Sequence, residues 1–179
     1  MNPWEETDAW KTRSDFFTWL RGQIRKSIWQ NYPLKNEFKK DNTFPVTQEQ
    51  REKYNLSGRV KKVGQCVFCK NYFPASKLQV DHIEQAGSFT TFEDLGYFIE
   101  KIACPKSNMQ LGCEPCHKIK SYQDRMGISF EEAQATKQAI AIQKEKRDND
   151  FLESARMSPA SNAKERRQQI IDYLLQNGE

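Results

Sequence analysis

The sequence predicts an α+β fold: a short cross-linked core of strands and one helix, with helical segments before and after it. Three observations predict this. Two cysteine pairs, Cys66-Val67-Phe68-Cys69 and Cys113-Glu114-Pro115-Cys116, hold four of the five cysteines, and the only two histidines, His82 and His117, lie inside or directly beside the bracket they form. The flanking stretches repeat apolar residues at helical spacing. Finally, 37% hydrophobic residues and a mean hydropathy of −0.88 leave a modest core for 179 residues, so a small strand unit needs a cross-link to hold.

Taken in order, residues 1–60 form an N-terminal helix and connector. From about Asp8 to Asn31, Trp10, Phe17, Leu20, Ile24 and Ile28 recur on one helical face, widened by Phe16, Trp19 and Trp29. Pro33 ends that helix, because the residue before a proline is steered out of the α region. Arg13, Arg21, Arg25 and Lys26 lie largely off the apolar stripe, which makes Arg21, Arg25 and Lys26 candidates for DNA contact beside the plainer reading of a solvated face. Tyr32 to Val60 reads as a loop-rich connector, and Arg59-Val60-Lys61-Lys62 leads into the first cysteine pair as a second candidate for phosphate contact. Residues 61–126 form the core, in which Lys118, Lys70 and Lys77 either meet DNA or offset thiolate charge. Within it, Thr91 to Ile102 predicts a short helix packing on the cysteine site or the C-terminal helix, with Cys104 buried nearby. Residues 127–179 are C-terminal helices. Ser129 with Glu132 makes a capping box for a helix to about Asp150; Ser158-Pro159-Ala160-Ser161 breaks it. Asn162 with Glu165 opens a last helix, which Gly178 closes. Its edge of Ile170, Ile171, Leu174 and Leu175 needs a partner, and Arg166 and Arg167 read as a solvated face more readily than as DNA contacts.

A two-residue gap lets both thiolates of a CxxC turn face one ion, and two such turns complete a tetrahedral site. Cys66, Cys69, Cys113 and Cys116 therefore read as structural Zn²⁺ ligands. A disulfide reading leaves Cys104 over and finds no secretory signal in support. His117 is a possible replacement ligand, although four thiols already fill a zinc. Thiolate ligands with an odd cysteine fit a reducing, cytoplasmic setting, and no run of eighteen apolar residues offers a membrane span. The net charge of +4 is only mildly basic, and the excess of basic over acidic residues is confined to residues 1–125.

The order CxxC, Asp81-His82-Ile83, Asn108-Met109-Gln110-Leu111 and Cys113-Glu114-Pro115-Cys116-His117, with Lys120 following, resembles the HNH endonucleases, also called ββα-metal nucleases. The resemblance covers about a third of the chain. It implies a small zinc-stapled ββα-metal core: Leu78 to Ile83 as one strand, Asn108 to Leu111 as its antiparallel partner, and a helix from about Glu114 to Tyr122. The twenty-four residues between Ile83 and Asn108 exceed the loop of many relatives, and the insertion looks like that of phage-encoded members.

By the resemblance, Asp81 and His117 hold a catalytic divalent ion, Mg²⁺ or Mn²⁺, and His82 is the general base. Asn108 clamps the loop that aims the histidine. The chemistry asks for the same types: an imidazole that titrates near neutrality takes a proton from water, and a carboxylate oxygen with an imidazole nitrogen suits a divalent ion. Neighbours on a strand point to opposite faces, so the pair Asp81-His82 predicts a twist or bulge there. Lys120, one turn beyond His117, is a candidate phosphate contact. The function so predicted is metal-dependent hydrolysis of DNA phosphodiesters by a monomer or homodimer, in the (host) cytoplasm and with a homing, restriction or packaging role open. The alternatives are a catalytically inactive zinc-bound nucleic-acid or protein-binding module on the same scaffold, and a helical adaptor.

Overall fold

The computed structural model of the chain describes residues 2–178. They form two compact units, the first running to Glu114 and the second starting at Pro115. Helices and short strands alternate in the first, and the second is helical.

The first unit opens with α1 (Arg13–Gln30). It starts later than Asp8 because Thr12 is the N-cap: Thr12 Oγ1 accepts from the Asp15 N–H, and Asp15 Oδ2 accepts from the Thr12 N–H. Trp10, just ahead of the cap, keeps its place in the apolar cluster. Pro33 does end α1, but it also occupies the first turn of a second helix, α2 (Pro33–Asp41), where its missing N–H costs nothing. The expected loop-rich connector is thus partly helical, and a Thr47 capping box opens a further turn and a half, α3 (Gln48–Lys53). Sparse apolar periodicity concealed both helices; caps and prolines set them.

Two small antiparallel sheets follow. One is β1 (Phe44–Pro45), β2 (Lys62–Gln65) and β3 (Tyr72–Pro74), with Val63 opposite both Phe44 and Pro74. The other pairs β4 (Leu78–His82) with β5 (Met109–Cys113), in register from Leu78↔Cys113 to His82↔Met109. Between these last strands lies α4 (Leu95–Ile102), shorter than expected at its N-terminal end. It packs on α1, where packing on the cysteine site or a C-terminal helix was expected. Phe16 and Phe17 of α1 interlock with Phe89, Phe98 and Ile102, and Trp29, Leu20 and Ile24 cover the edge. This aromatic cluster is one apolar core of the first unit, and Val63, Leu78, Val80, Met109 and Leu111 are buried on the strands. Cys104 is buried, as expected.

Residue Glu114 begins α5 (Glu114–Met126), a turn longer than expected. In the second unit α6 (Phe130–Lys144) opens on the Ser129 capping box and stops six residues early. Lys146 there takes a positive φ of 58°, which reverses the chain into α7 (Asp148–Ser154). The last helix, α8 (Ala163–Asn177), has Asn162 as N-cap. Its apolar edge finds a partner within the unit: Ile170 joins buried Ala139 and Leu152, with Ile171 and Leu174 alongside, while Leu175 stays exposed. Among the described residues, no helix is long and apolar enough to cross a membrane.

Candidate functional site

Cysteines set the first feature. The turn Cys66–Lys70 links β2 to β3: Lys70 N–H donates to the Cys66 carbonyl at 3.0 Å and Cys66 N–H to the Asn71 carbonyl at 2.9 Å. Lys70 accepts a left-handed φ of 59°, a strain that a lysine bears only when its surroundings hold it. The Val67 N–H donates to the Leu111 carbonyl and the Cys113 N–H to Cys66 Sγ at 3.4 Å, so the turn is tied to β5. Including Cys116, the four sulfurs all lie within 4.8 Å of one another. Zinc–sulfur bonds of about 2.3 Å at the tetrahedral angle require sulfurs roughly 3.8 Å apart, and Cys69 and Cys113 stand at 4.0 Å. Burial pushes the Cys66 thiol up, but N–H donation from Cys113, Cys69 and Phe68 outweighs it and brings the thiol down to about 7. Close thiols, one readily ionised and held by N–H donors, fit zinc: the quartet can hold the ion.

His82 ends β4. The ladder beneath it is regular, without the expected bulge, and continues with Ile83 N–H to the Asn108 carbonyl at 3.0 Å. His82 therefore shares the face of Leu78 and Val80, both buried, while Asp81 alternates away. Its Oδ1 accepts from the His82 N–H at 2.9 Å, a local bond that replaces the distortion anticipated at this pair. The His82 ring is half-buried and has two partners: Nε2 lies 3.1 Å from the Ile102 carbonyl, and the ring lies on the Trp29 indole with centroids 4.0 Å apart and planes inclined by 31°. The loop after β4 is clamped from across the sheet. Asn108 Oδ1 accepts from the Glu84 N–H at 2.8 Å, Asn108 Nδ2 donates to the Glu84 carbonyl at 3.1 Å, and Gln110 Nε2 donates to the His82 carbonyl at 3.2 Å.

Other candidates fare differently. His117 sits in the first turns of α5, half-buried, and its carbonyl accepts from Ser121 Oγ. Lys120 is buried and ion-paired with Asp124 one turn on. Arg21 and Arg25 have partners within the chain. Arg21 Nη1 donates to the Phe89 carbonyl and Arg25 Nη2 to the Gly87 carbonyl, each at 2.6 Å, and Arg13 reaches the Thr90 carbonyl. The reason is positional, since these side chains border the apolar stripe and the packed insertion supplies carbonyls along it. Lys26, Lys61, Lys62 and Lys118 are exposed. Lys61 and Lys62 line, with Arg59, a shallow concavity of about 430 Å³. Sequence reasoning missed Trp29 and the Ile102 carbonyl, since nothing in the spacing of either ties it to a histidine on another element.

No protein-family model matches the chain, and neither do curated proteins or solved structures.

Proposed function

We propose that the chain is a metal-dependent DNA endonuclease of the HNH type. The observation that carries this reading is the setting of His82. A backbone carbonyl only accepts, so Nε2 against the Ile102 oxygen is the protonated nitrogen of the neutral ring, and Nδ1 keeps the lone pair. That is the tautomer a general base needs. The two hydrogen bonds between the Asn108 side chain and the Glu84 backbone, and the one that Gln110 donates to the His82 carbonyl, steady the strand end that carries the ring. In the reaction, His82 Nδ1 takes a proton from water as the water oxygen attacks phosphorus. The bond to the 3′ oxygen breaks and that oxygen takes a proton from a second water, leaving a 5′ phosphate and a 3′ hydroxyl. Asp81 and His117 offer a carboxylate oxygen and an imidazole nitrogen, a donor set suited to Mg²⁺ or Mn²⁺, which when bound supplies positive charge to the phosphate. Arg59, Lys61 and Lys62, gathered on one concavity, suit the DNA backbone. Zinc on the four cysteines serves stability, not chemistry.

The test is nicking of supercoiled plasmid with Mg²⁺ or Mn²⁺, comparing the wild type with His82→Ala at equal zinc content. General-base loss lowers the rate about 100-fold or more. Equal nicking by both proteins removes His82 from the mechanism, and no nicking by either leaves the non-catalytic zinc module as the better reading.

A further inference from the structure

The wall against which His82 rests is not part of the motif around it. Trp29 belongs to the last turn of α1, more than fifty residues earlier in the chain, and its indole lies against the imidazole with centroids 4.0 Å apart and planes inclined by 31°. Rings packed this closely restrict each other's tilt. The indole is itself held. Lys35 Nζ donates to the Trp29 carbonyl at 2.9 Å and stands 5.2 Å from the indole centroid, so one ammonium meets a free carbonyl at the end of α1 and the π-face beside it. Tyr32 stacks on the indole at 6.0 Å and donates through its hydroxyl to the Ala103 carbonyl, next to Ile102. The carbonyl that orients Nε2 and the ring that limits its tilt are thereby fastened to each other.

We propose that Trp29 is a positioning residue for His82: it fixes the plane of the imidazole, while the Ile102 carbonyl fixes its rotation within that plane. This assignment rests on the endonuclease reading. A ring bonded through Nε2 alone swings about that bond and carries Nδ1 out of line with water; a flat surface beneath it removes the swing. Misplacement by an ångström costs rate and leaves DNA affinity alone, because Trp29 is held against His82 and not against the phosphate surface.

The experiment compares plasmid nicking, as kcat and KM, in the zinc-loaded full chain, the variants Trp29→Leu and Trp29→Phe, and Trp10→Leu as control. Trp10 packs in the same aromatic cluster, where its ring meets Phe16 at 5.1 Å and Trp19 at 5.0 Å. Trp29→Leu should lower kcat roughly 10- to 100-fold with KM within about 2-fold. Trp29→Phe, which keeps a flat ring, should recover most of it, and Trp10→Leu should keep kcat despite a comparable fall in melting temperature. In proton NMR the chain has only two imidazoles to assign. The His82 ring protons should be displaced upfield in the wild type by the indole and return downfield in Trp29→Leu. Unchanged kcat in Trp29→Leu, or a loss equal to that of Trp10→Leu, overturns the assignment. So do undisplaced His82 protons in the wild type. A wild type that never nicks overturns the endonuclease reading, and this role with it, whatever the ring protons show.

Discussion

Residue by residue, the chain shows that residue type alone does not reveal a side chain's task. Lys120 has the spacing of a phosphate contact, yet it is buried in α5 with Asp124 as ion-pair partner. Removing one member of a buried pair leaves the other charged and poorly solvated, at a cost of about 3 kcal/mol or more. Lys120→Met should therefore lower the melting temperature clearly. A variant that melts like the wild type but has lost DNA affinity would return the lysine to the phosphate surface. The arginines of α1 make the same point. Their donors fasten residues 87–90, and burial lowers the pKa of Arg25 from its ordinary value, with Arg21 adding repulsion. Cys66, by contrast, sits in the turn that its CxxC spacing implies, and Asn108 lies opposite the loop after β4.

For single elements, close approach and capping decide the outcome. Gly64 in β2 has no room for a Cβ, which would meet Leu78 Cδ1 at 2.8 Å and the Asn42 carbonyl oxygen at 2.9 Å. The leucine can rotate; the backbone oxygen cannot, so Gly64→Ala should destabilise the first unit by about 1–3 kcal/mol, measured by denaturant midpoint. In the second unit, Arg166 donates to Asp148 from α8 at 2.7 Å, and this bond holds the Asp148 carboxyl below its ordinary value. A carboxyl with a depressed folded pKa contributes stability above its unfolded value of about 3.9, and that contribution is lost as pH falls through the lower folded value. Melting of the wild type should fall more steeply with acid below pH ~4 than melting of Asp148→Asn; parallel curves would remove this pair from the stability of the helical unit.

Across the whole molecule, the two units rely on different sources of order. The helical unit has its own apolar centre in Ala139, Leu152 and Ile170, whereas β2 and β3, on either side of the turn Cys66–Lys70, bury one apolar side chain, Val63, so that a metal held by the four cysteines would supply much of their order. Metal bound only by the folded chain is linked to folding. Chelation of zinc, or Cys66→Ser, should speed amide exchange in β2 and β3 and lower the first melting transition, with slow exchange retained in α6 and α8. A native transition in Cys66→Ser would show that the quartet is not a zinc site.

The sequence by itself determined what is local. The CxxC spacing, the capping box at Ser129 and the N-cap at Asn162 follow from contacts a few residues apart, or from residues that a metal draws together, while the strand pair on either side of the insertion was legible only through the family resemblance. It left unread α2 and α3, the split between α6 and α7, and the partner of α4, because weak periodicity and a single positive φ carry little signal along the chain. Only tertiary structure decided which surface His82 leans on, that Arg21 and Arg25 grip a loop, and that the β4–β5 ladder runs without a bulge. The physical reason is that such contacts join residues tens of positions apart, where the pairing of faces depends on packing the whole unit at once.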